Sequence, residues 1–376
     1  MHSHFVTPPL RADSKRRRNW TELDVGAVLH NLEVAQRRCG GHTPAVMAVV
    51  KADAYGHGAG RMAAALAGKV HSFGVACVGE AEALRATGVR EIIYLLSPTL
   101  PDERKRVVEG GFRPAISTAD EAQAFDEIAR SSGSRLPMQW VLDTGMGRMG
   151  TLPGELESMA GGWGKWTHLE LESIASHFPS ADEDLEFTTA QAAGFRQTVA
   201  SLRKQGLAPR FVHVANSAGL QGWPLPEGEI VRVGLALYGV APVAKFQSEL
   251  HPALTWKTQI SLVREVPADW GISYGRTHLT TRPTLVATLA VGYADGYLRH
   301  LSNKEADVLI HGQRCPVLGR ITMDQMMVDV THLPSAPTPG TEVVLLGPQG
   351  NESITAVELA RKAGTIPWEI FTSIRC

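Results

Sequence analysis

Several features that would place this chain in a familiar class are scarce or missing. Of its 376 residues four are cysteines, without a C-x-x-C pair or regular framework, so reduced thiols in a cytoplasmic protein are expected. The 14 histidines show no H-E-x-x-H or comparable spacing, and no metal site is predicted. The net charge of -1 gives no general reason to expect nucleic acid or a membrane surface as partner.

The amino-terminal region also lacks the apolar run of a secretion signal. Its one cluster of charge, KRRR at residues 15–18, lies in a polar stretch, and we predict a disordered basic arm over residues 1–18. Residues 19–38 have the spacing of an amphipathic helix with Thr21 as N-cap. Secretion and membrane spanning are therefore not expected.

The chain does contain a regular alternation of short apolar strands and amphipathic helical segments. The predicted strands lie at 45–50, 72–78, 91–97, 113–117, 138–143, 171–178, 211–215 and 229–233. Eight such units favour an N-terminal (β/α)8 TIM-type barrel, because closure pairs every parallel strand and the helices cover the outside. A doubly wound open sheet would also alternate, but it usually has fewer strands, and no G-x-G-x-x-G follows the first one.

The pattern changes near residue 250. From there β-rich segments are joined by Gly, Pro and Asp turns, and the one clear helical stretch lies at 353–364. We therefore predict an α/β barrel at 19–245 and a C-terminal, mostly β domain at 246–376.

A group of polar residues follows the barrel strands on one rim, where such barrels carry their chemistry. Singly, each has an ordinary explanation as a turn, capping or ion-pairing residue. Together they predict a small-molecule site. They are Lys51 after the first strand, Arg148 after the fifth, His177 at the sixth, Asn216 and Ser217 after the seventh, and Arg232 in the eighth.

The charge of this rim indicates its ligand. Lysine, two arginines and the backbone amides after strands seven and eight suit an anion with a phosphate group. A lysine desolvated beside arginines has its ammonium form disfavoured and can act as a nucleophilic amine. An amine next to a phosphate seat suggests pyridoxal 5′-phosphate held as a Schiff base.

Eight motifs then resemble the alanine racemase family, in that family's order, from NWTELD to the end of the chain. They are AVVKADAYGHG (48–58), DTGMGRMG (143–150), SHFPSADE (176–183), ANSAG (215–219), VRVGLALYG (231–239), GISYG (271–275), VGYADG (291–296) and MDQMMVDV (323–330). Each motif alone is weak, but eight in register are a specific signal.

The resemblance implies a pyridoxal-phosphate isomerase that interconverts L-alanine and D-alanine as a head-to-tail homodimer. Lys51 would bind the cofactor and act as base toward D-alanine. Tyr274, supplied by the partner subunit, would be the base toward L-alanine on the opposite face. D-alanine for peptidoglycan in a bacterial cytoplasm follows from the family.

The resemblance also assigns the cofactor and substrate contacts. Tyr55, Ser217, Gly234 and Leu235 would hold the phosphate, and Asn216 would also bind the cofactor. His177 would pack on the pyridine ring, Arg232 would contact the ring nitrogen, and Arg148 would contact the phenolic oxygen. Arg148 and Met323 would bind the substrate carboxylate. His213 and Asp324 would be supporting residues, and the entry corridor would be lined by Tyr293, Arg299 and Asp182.

Two positions depart from the family. A lysine that often braces the motif arginine is replaced by Val141, and relatives usually continue beyond Cys376, near which some carry a cofactor-contacting tyrosine. Three alternatives stay open on the residues: a serine or broad-specificity racemase, a decarboxylase of the same fold type, and a non-catalytic pyridoxal-phosphate carrier. The decarboxylase is expected to have a catalytic Cys-Asp pair in its β domain, and Cys315-Pro316 is not one. The carrier would be a barrel alone.

Overall fold

The computed structural model describes residues 18–39, 45–221 and 229–375. The chain forms two compact units: residues 28–54 and 58–251 make a barrel unit, and residues up to 27, 55–57 and 252 onward make a C-terminal unit. Most of the predicted basic arm, residues 1–17, lies outside the described residues, as does Cys376.

The first described segment differs from the prediction of a helix over 19–38. Residues Asn19–Leu23 form strand β1, and the helix spans Val25–Arg38. The strand pairs antiparallel with residues 254–258, and the side chain of Asp24, not Thr21, accepts the N–H of Ala27 at 3.0 Å. A distant strand therefore determines this local structure, and residues 18–27 belong to the same compact unit as residues 252 onward.

The barrel unit contains the predicted eight parallel strands. They are β2 (Ala45–Val49), β3 (Ser72–Val75), β4 (Ile92–Pro98), β5 (Arg113–Ile116), β6 (Leu136–Val141), β7 (Leu169–Ala175), β8 (Phe211–His213) and β9 (Ile230–Val233). Neighbours pair in chain order and β2 pairs with β9. A parallel bridge between Val212 and Glu229 closes the ring, so the (β/α)8 barrel is confirmed.

Helices alternate with these strands because their apolar faces need a sheet to pack on. They span Val25–Arg38, Ala59–Leu66, Val78–Ala86, Arg104–Glu109, Ala119–Ser131, Pro153–Met159 and Leu185–Lys204. Besides Asp24, two more side chains cap these helices: Thr118 accepts the N–H of Glu121, and Asp184 accepts that of Phe187. Strand interiors are apolar, with Met47, Tyr94 and Ile230 packed together and fully buried.

The C-terminal unit is mostly antiparallel sheet, as predicted. Its strands are β10 (Leu254–Val266), β11 (Gly271–Ile272), β12 (His278–Leu279), β13 (Thr284–Leu289), β14 (Asp307–Ile310), β15 (Gln313–Leu318), β16 (Met326–Asp329), β17 (Glu342–Gln349) and β18 (Glu352–Ile354). The main sheet has the order β1-β10-β13-β16-β15-β14-β17-β18, with a further pairing of β10 and β17. Two helices, Ala356–Ala363 and Pro367–Ser373, complete it.

Within the described part of the chain, no helix is both long and apolar enough to cross a membrane. Nor do those residues gather three or more His, Cys, Asp or Glu side chains that could hold a metal ion.

Candidate active site

Lys51 lies at the carboxyl end of the first barrel strand. The strand ladder continues through Val50, whose N–H donates to the carbonyl of Gly74 at 2.9 Å. The side chain of Lys51 is partly buried, and its pKa is lowered by burial, then by Arg148 and Arg232, against an opposing effect of Glu80. A larger fraction of neutral amine, and hence a better nucleophile, follows from this environment.

The backbone after Lys51 is strained. Ala52, Asp53, Ala54 and Tyr55 have φ between 50° and 55°, the left-handed region, which costs L-residues about 1–2 kcal/mol each. Two contacts of Asp53 hold the turn: its carbonyl accepts the N–H of Gly58 at 2.9 Å and its side chain that of Ala59 at 2.6 Å. Strain retained in this way is typical of functional sites.

Arg232 on β9 is the centre of a buried hydrogen-bond network. One terminal nitrogen of its guanidinium donates to Nδ1 and the carbonyl of His213 at 2.7 and 2.9 Å. The other donates to the carbonyls of Ser176 and Val214 and to Nδ1 of His177, the last at 2.8 Å. The fork is thereby fixed in one orientation at the rim.

The two histidines bonded to Arg232 are held neutral. Burial, then Arg232, Arg148 and Lys51 lower the pKa of His177 to about 3. Burial and Arg232 hold the pKa of His213 well below its usual range. Burial, followed by Arg148, lowers the pKa of Arg232 to about 10, so the guanidinium stays charged at neutral pH. Each histidine must then present an unprotonated Nδ1 to it.

The predicted anion seat is at the ends of β8 and β9. The hydroxyl of Ser217 accepts the N–H groups of Gly234 and Ala236 at 3.0 and 3.4 Å, where a short 3-10 helix, Leu235–Tyr238, begins. The Asn216 side chain accepts the N–H groups of Ala218 and Gly219. Hydroxyl and backbone N–H groups at a helix start are the donors that phosphate oxygens use.

Asp143 shapes the loop that carries Arg148. A single oxygen of its carboxylate accepts the N–H groups of Gly145, Met146 and Gly147 at 2.9, 2.9 and 3.1 Å. Burial raises the pKa of Asp143, but the loop N–H groups outweigh it and the net effect is a lowered pKa. The loop thus has a defined shape, from which Arg148 extends as an exposed side chain.

Val141, the position where the family often has a lysine, belongs to an apolar cluster. It is buried with Ala115 and Ala175, and Met149 packs against them. In this chain the strand end below the arginine loop is therefore apolar, without a cationic group at that position.

The C-terminal unit carries the other predicted residues, and several are unusually exposed. Tyr274, Met323 and Tyr293 have exposed fractions of 70%, 58% and 40%, high for side chains of this size. Tyr293 and Met323 belong to adjoining turns, because the N–H of Ala294 donates to the carbonyl of Met323 at 2.9 Å. Arg299 lines a cavity of about 310 Å³ with His300, Ser302, Asn303 and Arg320.

Three further predicted residues differ in their exposure. Asp324 is exposed in the turn before β16, and Asp182 is exposed in the loop before the helix Leu185–Lys204. Tyr55, in the C-terminal unit, is buried, and burial raises its pKa to about 12.

Sequence reasoning missed three residues that shape the rim. Glu80 contacts the backbone beside Lys51, Asp143 organises the Arg148 loop, and the hydroxyl of Tyr238 donates to the carbonyl of Val49 at 2.7 Å. Asp143 has a sequence signal, because Asp before a Gly-rich turn often accepts loop N–H groups. Glu80 and Tyr238 act across the fold and have no local signal.

Comparison with known proteins agrees with this arrangement. The family models "Alanine racemase, N-terminal domain" and "Alanine racemase, C-terminal domain" match residues 23–242 and 253–376. Curated alanine racemases of Methylacidiphilum infernorum and Symbiobacterium thermophilum are each 42% identical over 95% of this chain, and over 90% and 95% of their own lengths.

Solved structures give the same result. Alanine racemase from Bacillus anthracis with bound L-Ala-P has a TM-score of 0.88 at 33% identity, covering 96% of this chain and 94% of that one. Alanine racemase from Bartonella henselae with covalently bound pyridoxal phosphate has a TM-score of 0.85 at 29% identity, covering 96% and 98%. The chain belongs to the alanine racemase family.

Proposed function

We propose that this chain interconverts L-alanine and D-alanine with pyridoxal 5′-phosphate, on which the family depends, and that Lys51 is its cofactor lysine. The observation that carries the proposal is the environment of Lys51. Its amine is desolvated at a barrel-strand end beside Arg148 and Arg232, on the same rim as the anion seat of Ser217 and Gly234.

The donor set on the rim fits this cofactor. Lys51 supplies the amine, Ser217 and the N–H groups that begin the helix Leu235–Tyr238 supply phosphate donors, and Arg232 supplies a fixed, charged donor for the ring nitrogen. Bound pyridoxal phosphate withdraws electrons from the α-carbon of an amino acid and so acidifies its α-proton. The proposed cofactor contacts are Lys51, Tyr55, Arg148, His177, Asn216, Ser217, Arg232, Gly234 and Leu235.

Arg232 limits this electron withdrawal. Its pKa of about 10 keeps it charged at neutral pH, so it donates a hydrogen bond without giving up its proton. His213 and His177 hold it in place from two sides. Weaker withdrawal favours return of the α-proton over competing reactions such as transamination.

Inversion needs one proton carrier on each face of the substrate. We assign Lys51 to one face and Tyr274 of the partner subunit to the other. The exposure of Tyr274, Met323 and Tyr293 supports a homodimer in which these side chains are covered by a second copy. Arg148 and the N–H of the partner's Met323 would bind the substrate carboxylate, with Tyr293, Arg299 and Asp182 at the entrance and Asp324 as a supporting residue.

The biological setting is part of the same proposal. D-alanine made by this chain would supply peptidoglycan synthesis in a bacterial cytoplasm. Alanine, not serine, is the proposed substrate, on the names of the relatives.

The test measures racemisation of L-alanine and L-serine by the purified protein and records cofactor absorbance. We expect alanine to be inverted faster than serine, loss of the absorbance band in Lys51→Ala, and a kcat reduced at least about 100-fold in Tyr274→Phe. A protein that holds the cofactor but inverts no amino acid would refute the proposal.

The shared site has a sharper test. Lys51→Ala and Tyr274→Phe chains are co-expressed with different affinity tags, and the mixed dimer is purified. One of its two sites then has both Lys51 and Tyr274, so we expect about half the wild-type rate, although neither parent homodimer has more than about 1% of it. An inactive mixed dimer would show that Tyr274 does not act across subunits.

A further inference from the structure

Glu80 joins the ends of two barrel strands beside Lys51. It lies in the first turn of the helix Val78–Ala86, which follows β3. Its Oε1 accepts the N–H of Ala52 at 2.8 Å, and its Oε2 accepts the N–H of Ala76 at 2.7 Å. Ala52 directly follows Lys51, and Ala76 directly follows β3. One carboxylate therefore connects the rim segments after adjacent strands, with one N–H bound to each oxygen.

This contact begins where backbone pairing ends. The parallel register of β2 and β3 reaches Val49 opposite Gly74, and the N–H of Val50 donates to the same Gly74 carbonyl. From Ala52 onward the chain is left-handed, so it no longer follows the strand direction. In a longer parallel ladder, the N–H of Ala52 would donate to a carbonyl of the neighbouring strand. Here it donates to the carboxylate of Glu80 instead.

Glu80 also opposes the positive charge around Lys51. Arg148 and Arg232 both disfavour the ammonium form of Lys51, whereas the carboxylate of Glu80 favours it. The same group therefore acts on the backbone from which the lysine side chain extends and on the charge of its amine.

We propose that Glu80 is a positioning residue for Lys51, which fixes the strained turn that directs the lysine and balances the two arginines beside its amine. The inference rests on the proposed role of Lys51 as the cofactor lysine. Its physical basis is that a charged acceptor binds two backbone donors more strongly than a neutral one does.

The test uses the full chain loaded with pyridoxal phosphate and the substitution Glu80→Gln. Glutamine offers one carbonyl oxygen, and its NH2 group would face an N–H donor, so one of the two contacts is lost together with the charge. The matched control is Glu82→Gln on the same helix. Glu82 pairs with Arg106 on the surface, away from the two strand ends.

We expect kcat of Glu80→Gln to fall about 10- to 100-fold, with a change in KM below about threefold. The acidic limb of the pH profile of kcat should move to lower pH, because kcat reports the substrate complex, in which Lys51 acts as a base, and removing the carboxylate favours its neutral amine. Hydrogen exchange should accelerate in peptides covering residues 50–55 and 75–78, and Glu82→Gln should match wild type in all of these measurements.

The inference would be overturned if Glu80→Gln and Glu82→Gln had the same kcat, the same position of the acidic limb and the same hydrogen-exchange rates at residues 50–55 and 75–78. The inference would also be overturned if hydrogen exchange in Glu80→Gln accelerated throughout the barrel while the acidic limb did not move, because that result describes a purely structural role. If Glu80→Gln does not fold, Glu80→Asp replaces it. Its shorter side chain keeps the charge but cannot span both donors, so we expect faster exchange at 50–55 with an unshifted acidic limb, and wild-type exchange there would refute the inference.

The two proposals fail differently. A wild-type protein without racemase activity, or a Lys51→Ala variant that still binds the cofactor covalently, would refute the proposed function. Hydrogen exchange at residues 50–55 and 75–78 of Glu80→Gln tests the contacts of Glu80 with the backbone, and this measurement does not depend on turnover.

Discussion

Acid should destabilise the barrel unit, because folding holds buried histidines in their neutral form. The size of the effect on the free energy of unfolding can be worked out for His177. Its pKa of about 3 lies below the ordinary value of about 6.5. Between these two values the unfolded chain binds more protons than the folded one, so the free energy of unfolding falls as the pH is lowered through this window. Integrating the difference from about pH 7.5 to pH 5 gives a loss of about 2 kcal/mol from His177.

The assay is urea unfolding of the cofactor-free protein at these two pH values, compared with His177→Gln. The amide oxygen of glutamine can accept the N–H of Arg232 that Nδ1 of His177 accepts now, but glutamine does not titrate. On acidification the free energy of unfolding of wild type should therefore fall by about 2 kcal/mol more than that of His177→Gln. His213 has the same sign of shift and remains in both proteins, so the comparison isolates His177.

A second variant, His300→Gln, is the control. His300 is an exposed histidine of the C-terminal unit. We therefore expect His300→Gln to lose as much free energy of unfolding as wild type does between the two pH values. The reasoning about His177 would be refuted if His177→Gln and wild type lost equal stability between the two pH values.

Three further substitutions test other contacts by urea unfolding or kinetics. Tyr238→Phe should lower the free energy of unfolding by about 1–3 kcal/mol, because the carbonyl at the end of β2 loses its buried donor; no change would exclude this contact. Arg113→Met should cost about 3 kcal/mol, because it leaves the buried carboxylate of Glu172 without its cation; a neutral result would show that the donor Tyr94 alone suffices. Asp143→Ala should raise KM for alanine about tenfold with cofactor absorbance unchanged, because the loop that presents the substrate-binding arginine loses its acceptor; an unchanged KM would contradict that role.

The barrel and its rim were predictable because strands buried on both faces are short apolar runs. Lys51 and Arg148 follow such runs, and Arg232 lies within one, so a barrel topology is enough to place all three on one rim. In the structure Arg148 and Arg232 both lower the pKa of Lys51, and Arg148 also lowers that of Arg232. Their catalytic and binding roles remain predictions.

Local sequence could not give the contacts that depend on tertiary approach. KADAY is rich in alanine, which favours right-handed helix, yet four of its residues are left-handed. NWTEL is compatible with either helix or strand, and pairing with residues 254–258 decides for strand. The contact of Glu80 with Ala52 joins residues 28 positions apart, and no local pattern indicates it.

The pairing of β1 with β10 also imposes an order of events during synthesis. Asn19 and its hydrogen-bond partner Trp256 are separated by 237 positions, which a ribosome takes roughly 10 to 50 s to translate. All eight barrel strands, residues 45–233, are made in that interval, so the barrel can close while the first strand still has no partner. A change at the amino terminus thus alters the sheet that forms last, not the barrel that comes next in the sequence.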